Sequence, residues 1–160
     1  MTAEWTTPPV VLTRVVQCLG GIDLDPWADG GRTVPAAQHF TASADGLGQS
    51  WHGRVYINPP YGRPIAAWIA KLLAEAACGH VTAAIALVPA RTDTAWFRRL
   101  DAWPVASWHG RLRFGAAPHA VPFPSAVVGI RVPVARFGEV FGPVATVYVP
   151  PGGSFADPSA

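Results

Sequence analysis

The sequence predicts an α/β fold with a mostly parallel β-sheet and an antiparallel C-terminal edge. Strand-like segments alternate with helical patterns through about the first hundred residues, which is typical of parallel sheets. One of these segments, residues 82–88, is almost continuously apolar, as expected for a strand covered on both faces. Beyond it, short strand-like segments follow one another between Gly and Pro turns, which favours antiparallel pairing. We place a single domain at residues 1–150 and a flexible tail at 151–160.

The composition excludes several classes of protein. Half of the 160 residues are hydrophobic and 14% are charged, which excludes a disordered chain, and 17 Pro with 16 Gly exclude a long coiled coil. The net charge of +2 is too small to indicate a partner. Two cysteines without a CxxC pair and five histidines without ligand spacing predict no metal site. Without a signal peptide or a long apolar segment, we expect a cytoplasmic protein that does not enter a membrane.

The first elements follow from local signals. Thr7 is suited to cap a helix with Pro in its first turn, and Gly20-Gly21 ends that helix after Leu19. A short strand at 22–25 ends at Pro26, and the segment 35–50 is expected to be irregular with one short helix at 36–39. The other predicted elements are helices at 65–77 and 92–100 and strands at 54–57, 82–88, 102–108, 111–114, 125–132 and 145–149.

The tetrapeptide Asn58-Pro59-Pro60-Tyr61 joins the end of a strand to a helix. Its prolines fix the backbone as a rigid extended turn and remove two backbone donors. The Pro59 carbonyl and the Asn58 side-chain oxygen are then two acceptors beside the flat ring of Tyr61. This set matches a planar ring with an exocyclic amine, whose nitrogen lone pair is made available when both amine hydrogens are held. A simple Pro-rich turn explains the same residues less well in this strand–turn–helix setting.

Several blocks in order extend this pattern along residues 5–130. Besides the tetrapeptide and Gly62, the blocks are Trp5-Thr6-Thr7-Pro8, Asp23-Leu24-Asp25-Pro26, Asp45-Gly46-Leu47 with Trp51, Leu87-Val88-Pro89-Ala90-Arg91-Thr92-Asp93-Thr94 with Trp96-Phe97, Gly110-Arg111-Leu112-Arg113-Phe114, and Pro122-Phe123-Pro124-Ser125. In these blocks the chain resembles the small phage and prophage DNA N6-adenine methyltransferases, the Dam-like phage family. The resemblance implies a Rossmann-like fold that uses S-adenosyl-L-methionine to methylate adenine N6 at a specific DNA site.

The resemblance also implies roles for individual residues. An adenine flipped out of the duplex would lie at Asn58, Pro59, Pro60 and Tyr61. The cosubstrate-binding residues would be Thr7, Pro8, Asp23, Asp25, Pro26 and Asp45. Position and side-chain chemistry, and not the resemblance, predict the substrate-binding residues, which are Arg91, Thr92 and Asp93 after a buried strand and Trp96, Arg111 and Arg113 on a DNA-facing surface. The loop after Asp25 departs from the family pattern, because Asp29 stands where a glycine is common.

Simpler interpretations stay open for most of these residues. Asp23 and Asp25 are also explained as solvated carboxylates at a strand end, and Asp45 as a turn residue before Gly46. Thr7-Pro8 also suits a plain helix start, and Thr92 or Asp93 the cap of the next helix. The arginines and tryptophans would equally form a solvated face.

Other functions remain as alternatives. One alternative is an enzyme with another target amine. The motif also occurs in enzymes that methylate glutamine side chains of proteins, and N4 of cytosine is chemically similar to N6 of adenine. A non-catalytic DNA- or cosubstrate-binding module is a different class, and so is a methyltransferase-like fold whose cosubstrate loop has drifted at Asp29. A chain of 160 residues leaves little room for a separate domain that recognises the DNA target. A homodimer or another partner is one way to complete the DNA-binding site.

Overall fold

The computed structural model describes residues 6–115 and 119–151. In chain order the elements are α1 (Pro9–Leu19), β1 (Ile22–Ala28), β2 (Ala36–Thr41), β3 (Gly53–Ile57), α2 (Ile65–Ala77), β4 (Val81–Pro89), α3 (Ala95–Arg98), β5 (Val105–Trp108), β6 (Ser125–Ile130), α4 (Val134–Phe141) and β7 (Ala145–Tyr148), with two short 3-10 turns at Ala42–Ala44 and Gly46–Gly48.

The strands form one seven-stranded sheet in the order β2-β1-β3-β4-β6-β5-β7. The first four strands of this order are parallel neighbours, and each later pair is antiparallel. The predicted mixed sheet, parallel first and antiparallel towards the C-terminal edge, is confirmed. The chain goes from β1 outward to β2 and then returns to β3 on the other side of β1. Open α/β sheets bind ligands at such a reversal of strand order, beyond the carboxyl ends of the strands.

Helices cover both faces of the sheet. On one face, Val11 and Val15 of α1 pack in the same apolar cluster as Phe137 of α4. On the other face, α2 contributes a buried stripe at helical spacing, with Phe97 of α3 beside it. The stripe consists of Ile65, Trp68, Ile69, Leu72 and Ala76. The helix predicted at 65–77 is confirmed, and the helical spacing of its apolar residues accounts for it.

The helix predicted at 36–39 is wrong, because this segment is strand β2. Its backbone pairs in parallel with β1, with Leu24 opposite Gln38, and this pairing overrides a helix propensity that rested on Ala and Gln. The connection from β1 to β2 is only residues 29–35, whereas parallel neighbours usually need a longer crossover. The connection contains no helix and instead buries Val34 in the core.

Three further expectations about elements are corrected. Residues 111–114 form no strand, although they alternate between exposed arginines and buried Leu112 and Phe114. The helix expected at 92–100 is the short α3, and its cap is Thr94, whose hydroxyl accepts a hydrogen bond from the Phe97 amide at 3.3 Å. At α1 the cap position is Pro8, because the Thr7 side chain is used elsewhere. The sequence analysis also missed α4.

Some expectations fall outside the described residues. These are the tail at 151–160, apart from Pro151, and Trp5 of the first block. Within the described residues, no helix combines the length and the apolar character needed to cross a membrane.

We expect Gly129→Ala to destabilise the protein by about 1–3 kcal/mol through overpacking. A Cβ at Gly129 would lie 2.6 Å from Cδ2 of the fully buried Phe137. Gly138→Ala is the matched control, because a Cβ there meets nothing within 4 Å and should stabilise helix α4 by roughly 0.5–1 kcal/mol. Urea denaturation measures both changes. Equal stabilities of the two variants would contradict the packing of α4 on β6.

Candidate active site

A cavity of about 860 Å³ lies at the carboxyl ends of β1 and β3. Its walls come from the residues before α1, from β1 and the loop after it, from the end of β2 and the residues after it, from β3 and the turn after it, and from the first part of α2. The volume is in the upper part of the range for ligand-binding pockets. Of the residues predicted from sequence, the cavity brings together Thr7, Asp25, Asn58, Pro59, Pro60 and Tyr61.

The Asn58–Tyr61 turn is held at the cavity by strand β3, which is buried along Val55, Tyr56 and Ile57. Asn58 directly follows this strand and is only 9% exposed. Because side chains in a strand alternate between faces, Asn58 continues the face on which Tyr56 lies. A neutral amide and two prolines therefore form one end of the cavity. This end offers hydrogen-bond acceptors and no charge.

The Tyr61 ring is fixed edge-on by two phenylalanines. Its centroid lies 6.2 Å from that of Phe114 and 5.6 Å from that of Phe123, with interplanar angles of 87° and 73°. Its hydroxyl donates to the Leu87 carbonyl at 3.4 Å. Burial raises the pKa of Tyr61 far above its ordinary value, so the phenol stays neutral near pH 7. Tyr61 is therefore suited to be a stacking surface and not a base.

Asp25 is a carboxylic acid buried in the cavity wall, with 1% of its surface exposed. The backbone amide of Trp27 donates to its Oδ1 at 3.3 Å. Burial raises the pKa of Asp25 to about 7, with a smaller contribution from the charge of nearby Asp29, while the hydrogen bond from the Trp27 amide acts in the opposite direction. A buried acid with this environment is well matched to an organic cation, which would supply the missing charge.

A buried hydrogen bond joins α1 to β3 beneath the cavity. The hydroxyls of Thr7 and Tyr56 lie 2.6 Å apart, and both residues line the cavity. Burial raises the pKa of Tyr56 well above its ordinary value, which keeps this pair uncharged. The sequence analysis missed Tyr56. Its position two residues before Asn58, on the same face of one strand, was the available signal.

Two tryptophans that the sequence analysis also missed form the apolar wall. The rings of Trp27 and Trp68 have centroids 5.2 Å apart, and Trp51 stacks behind Trp68 at 6.0 Å. The Trp51 indole donates to the Gly46 carbonyl at 2.8 Å. Trp68 comes from α2 and carries no local signal of its role. This wall is suited to a planar ring such as a purine.

The loop after β1 is closed by Asp29, the residue at which the sequence departs from the family pattern. Its carboxylate accepts from the Thr33 amide at 2.9 Å and from the Thr33 hydroxyl at 2.7 Å. Burial alone would raise the pKa of Asp29, but these hydrogen bonds lower it below the ordinary value. Asp29 therefore shapes the loop and keeps a negative charge close to Asp25.

Four residues expected to bind the cosubstrate lie outside the described wall of the large cavity, and one of them, Pro8, lines a smaller cavity instead. Asp23 forms a salt bridge with Arg54 at 3.0 Å, and the hydrogen bonds from Arg54 lower the pKa of Asp23. Its carboxylate is thus engaged by Arg54 and lies outside the described wall of the large cavity, and its expected role stays a prediction. Asp45 lies in the turn between the two 3-10 turns with a φ of 50°, outside the described cavity wall. Pro26 is buried, and its carbonyl lies against Gly46, where a Cβ would clash.

The residues expected to bind DNA divide into two groups. Arg111 and Arg113 line a second cavity of about 480 Å³, together with Pro8. The Arg91 guanidinium lies over the Phe123 ring at 5.7 Å. Thr92 and Asp93 are exposed in the turn after β4, and Trp96 packs against Phe97 with ring centroids 5.6 Å apart.

The family model described as DNA N-6-adenine-methyltransferase (Dam) matches residues 2–123. The chain belongs to the Dam family. Its resemblance to Dam-like methyltransferases is thereby confirmed, and the match contains every residue that lines the large cavity. The activity of the Dam family is methylation of adenine N6 in DNA. No curated protein matches this Dam-family chain significantly.

We expect Asp25→Asn to change how stability depends on pH. Because the pKa of Asp25 is raised by burial, the folded protein holds a proton that the unfolded chain releases above about pH 4. The contribution of Asp25 to stability therefore falls as pH rises through this window, up to about pH 7. Relative to wild type, Asp25→Asn should gain about 2–3 kcal/mol in unfolding free energy between pH 5 and pH 8. Denaturation curves of both proteins at pH 5 and pH 8 measure this change. An unfolding free energy difference between variant and wild type that is the same at both pH values would contradict a buried, protonated Asp25.

Proposed function

We propose that this Dam-family protein transfers the methyl group of S-adenosyl-L-methionine to N6 of an adenine in DNA, within the cavity above β1 and β3. The observation that carries the proposal is the presence of two chemically different ends in one cavity. The buried acid Asp25 lies at the cosubstrate end, and the neutral acceptors of Asn58 and Pro59 lie at the other.

The cavity residues fit the cosubstrate. Its ammonium group would pair with Asp25, which then becomes ionised. Its adenine would pack on the wall of Trp27 and Trp68. Thr41, the last residue of β2, and Ser43, which follows that strand, would provide hydroxyls for its ribose. When bound, S-adenosyl-L-methionine supplies an electrophilic methyl group on a sulfonium.

The Asn58–Tyr61 turn fits the target base. The N6 atom is inaccessible inside a duplex, so the adenine has to leave the base stack. Its ring would stack on Tyr61, while its two amine hydrogens are donated to the Asn58 side chain and the Pro59 carbonyl. These contacts turn the nitrogen lone pair towards the methyl group. The N–C bond forms as the C–S bond breaks, and one amine proton is then lost to water.

No residue at the target end has to act as a base. Among the described residues of the cavity wall, the carboxylates are Asp25 and Asp29, and both belong to the cosubstrate end. Tyr56 and Tyr61 have raised pKa values and stay protonated. The proton is therefore lost after methyl transfer, when the amine has become acidic.

We also propose that the sheet is a Rossmann-like methyltransferase sheet. What supports this is the parallel set β2-β1-β3-β4, the antiparallel β6 inserted between β4 and β5, and the position of the cavity at the reversal of strand order.

The direct test is transfer of a deuterated methyl group to unmethylated DNA, followed by analysis of the digested nucleosides. We expect labelled N6-methyladenine from wild type and a loss of about 10²–10³-fold in turnover for Asn58→Ala, the size found when one positioned hydrogen-bond group is removed. Quenching of tryptophan fluorescence by the cosubstrate should be unchanged in this variant. Label on cytosine or on protein, or no transfer by wild type, would contradict the proposal.

A second expectation concerns pH and cosubstrate affinity. Because free Asp25 has a pKa of about 7 and binds the ammonium group as a carboxylate, binding below pH 7 releases a proton. Affinity should fall roughly tenfold per pH unit below 7. Asp25→Asn should bind weakly and lose this slope, whereas Asp23→Asn, outside the cavity, should keep it. A wild-type affinity independent of pH between 5 and 7 would exclude Asp25 as the partner of the ammonium group.

A further inference from the structure

We propose that the cavity lined by His109, Arg111 and Arg113 binds the phosphodiester backbone of the DNA strand next to the extruded adenine. This inference rests on the proposed function, since it assumes that the target is an adenine in DNA. It adds a docking surface, separate from the cavity where the chemistry takes place, for the strand that carries the base.

The charge of this second cavity is one-sided. It lies between the end of β5, the residues before β7 and the start of α1. Its described wall contains two arginines and a histidine and no carboxylate. Both arginines are exposed, and no described salt bridge involves them. Arginine binds phosphate oxygens through two parallel hydrogen bonds, which makes a paired-arginine cavity suitable for a phosphodiester.

Apolar residues hold the two arginines outward. Leu112 and Phe114 are 5% and 3% exposed, so the chain alternates between solvent and core from 111 to 114. The Leu112 carbonyl accepts from the Val121 amide at 2.9 Å, which ties the segment to the following chain. Because the backbone of the segment is already fixed, binding a phosphate there orders little more than the arginine side chains.

The second cavity lies beside the proposed active site. Thr7 lines the large cavity and Pro8 lines the second one, so adjacent residues separate them. The Gly115 amide donates to the Thr6 carbonyl at 2.9 Å. This hydrogen bond holds the segment 111–114, which carries the two arginines, beside Thr7 and Pro8. Phe114, next to Arg113, contacts Tyr61 edge-on. A strand whose base reaches Tyr61 would therefore pass close to the backbone segment that carries Arg113.

A strand of DNA fits this arrangement better than an isolated anion does. On the Phe123 side of Tyr61, Arg91 lies over the phenylalanine ring and supplies a further positive charge. Positive groups thus lie beside both phenylalanines that hold Tyr61. The half-buried Trp108 and the exposed Val10 give the second cavity apolar wall for a sugar. These features favour a polyanion that passes across Tyr61.

The test measures DNA binding by Arg111→Gln and Arg113→Gln at several salt concentrations. The probe is a fluorescent duplex with unmethylated adenines, and its anisotropy reports the dissociation constant. Each variant should bind about tenfold more weakly at low salt, and the slope of log K against log salt should become shallower by about one. Cosubstrate binding, followed by tryptophan fluorescence, should be unchanged. Arg136→Gln on the exposed side of α4 removes the same charge elsewhere and should bind DNA like wild type.

Two results would overturn the inference. One is a dissociation constant and salt slope for both variants equal to those of wild type. The other is an equal loss in Arg136→Gln, which would mean that net charge alone matters. Failure here is distinct from failure of the proposed function. Normal binding by both variants with intact methyl transfer by wild type would remove only the docking surface. Arginine-dependent binding without methyl transfer would keep the surface and contradict the enzyme.

Discussion

The site depends on the parallel pairing of β1 with β3, in which Leu24 lies opposite Val55. β2 and β4 flank this pair on its two outer sides, so the chain leaves β1 and β3 in opposite directions. A crevice opens where the two strands end. Asp25 follows Leu24 directly and Asn58 lies three residues after Val55, so the pairing brings both to one cavity. Side chains separated by 33 residues in sequence thus line one cavity.

The two ends of the cavity differ in charge, and this difference matches the charges of the two proposed ligands. Asp25 is almost completely buried, which is costly for a carboxylate until a cation arrives. The proposed cosubstrate brings that cation. The target amine is neutral and must stay so, because a protonated nitrogen has no lone pair to donate. An amide at position 58 holds such an amine without favouring its protonation, whereas a carboxylate there would favour the cation. Thr7 and Tyr56, a neutral hydrogen-bonded pair in the cavity wall, add no charge to it.

The parts of the site that lie in short contiguous segments could be predicted from sequence, and the rest could not. Asn58–Tyr61 combines strand, turn and acceptors within a few residues, so its role follows from local chemistry. Asp23 and Asp25 look alike along the chain, and only the neighbouring strand, which places Arg54 beside Asp23, separates them. Trp68 is one of several buried positions on its helix, and nothing local distinguishes it. Strand β2 was missed because its stability comes from pairing with β1 and not from its own residue types.

The most direct measurement is a crystal structure of the protein with S-adenosylhomocysteine, which binds like the cosubstrate but carries no methyl group to transfer. We expect the ligand in the cavity above β1 and β3, with its ammonium group hydrogen-bonded to Asp25, its adenine against Trp27 and Trp68, and its sulfur facing Asn58. A ligand bound elsewhere, or one whose ammonium group lies away from Asp25, would contradict the division of the cavity into a cationic and a neutral end.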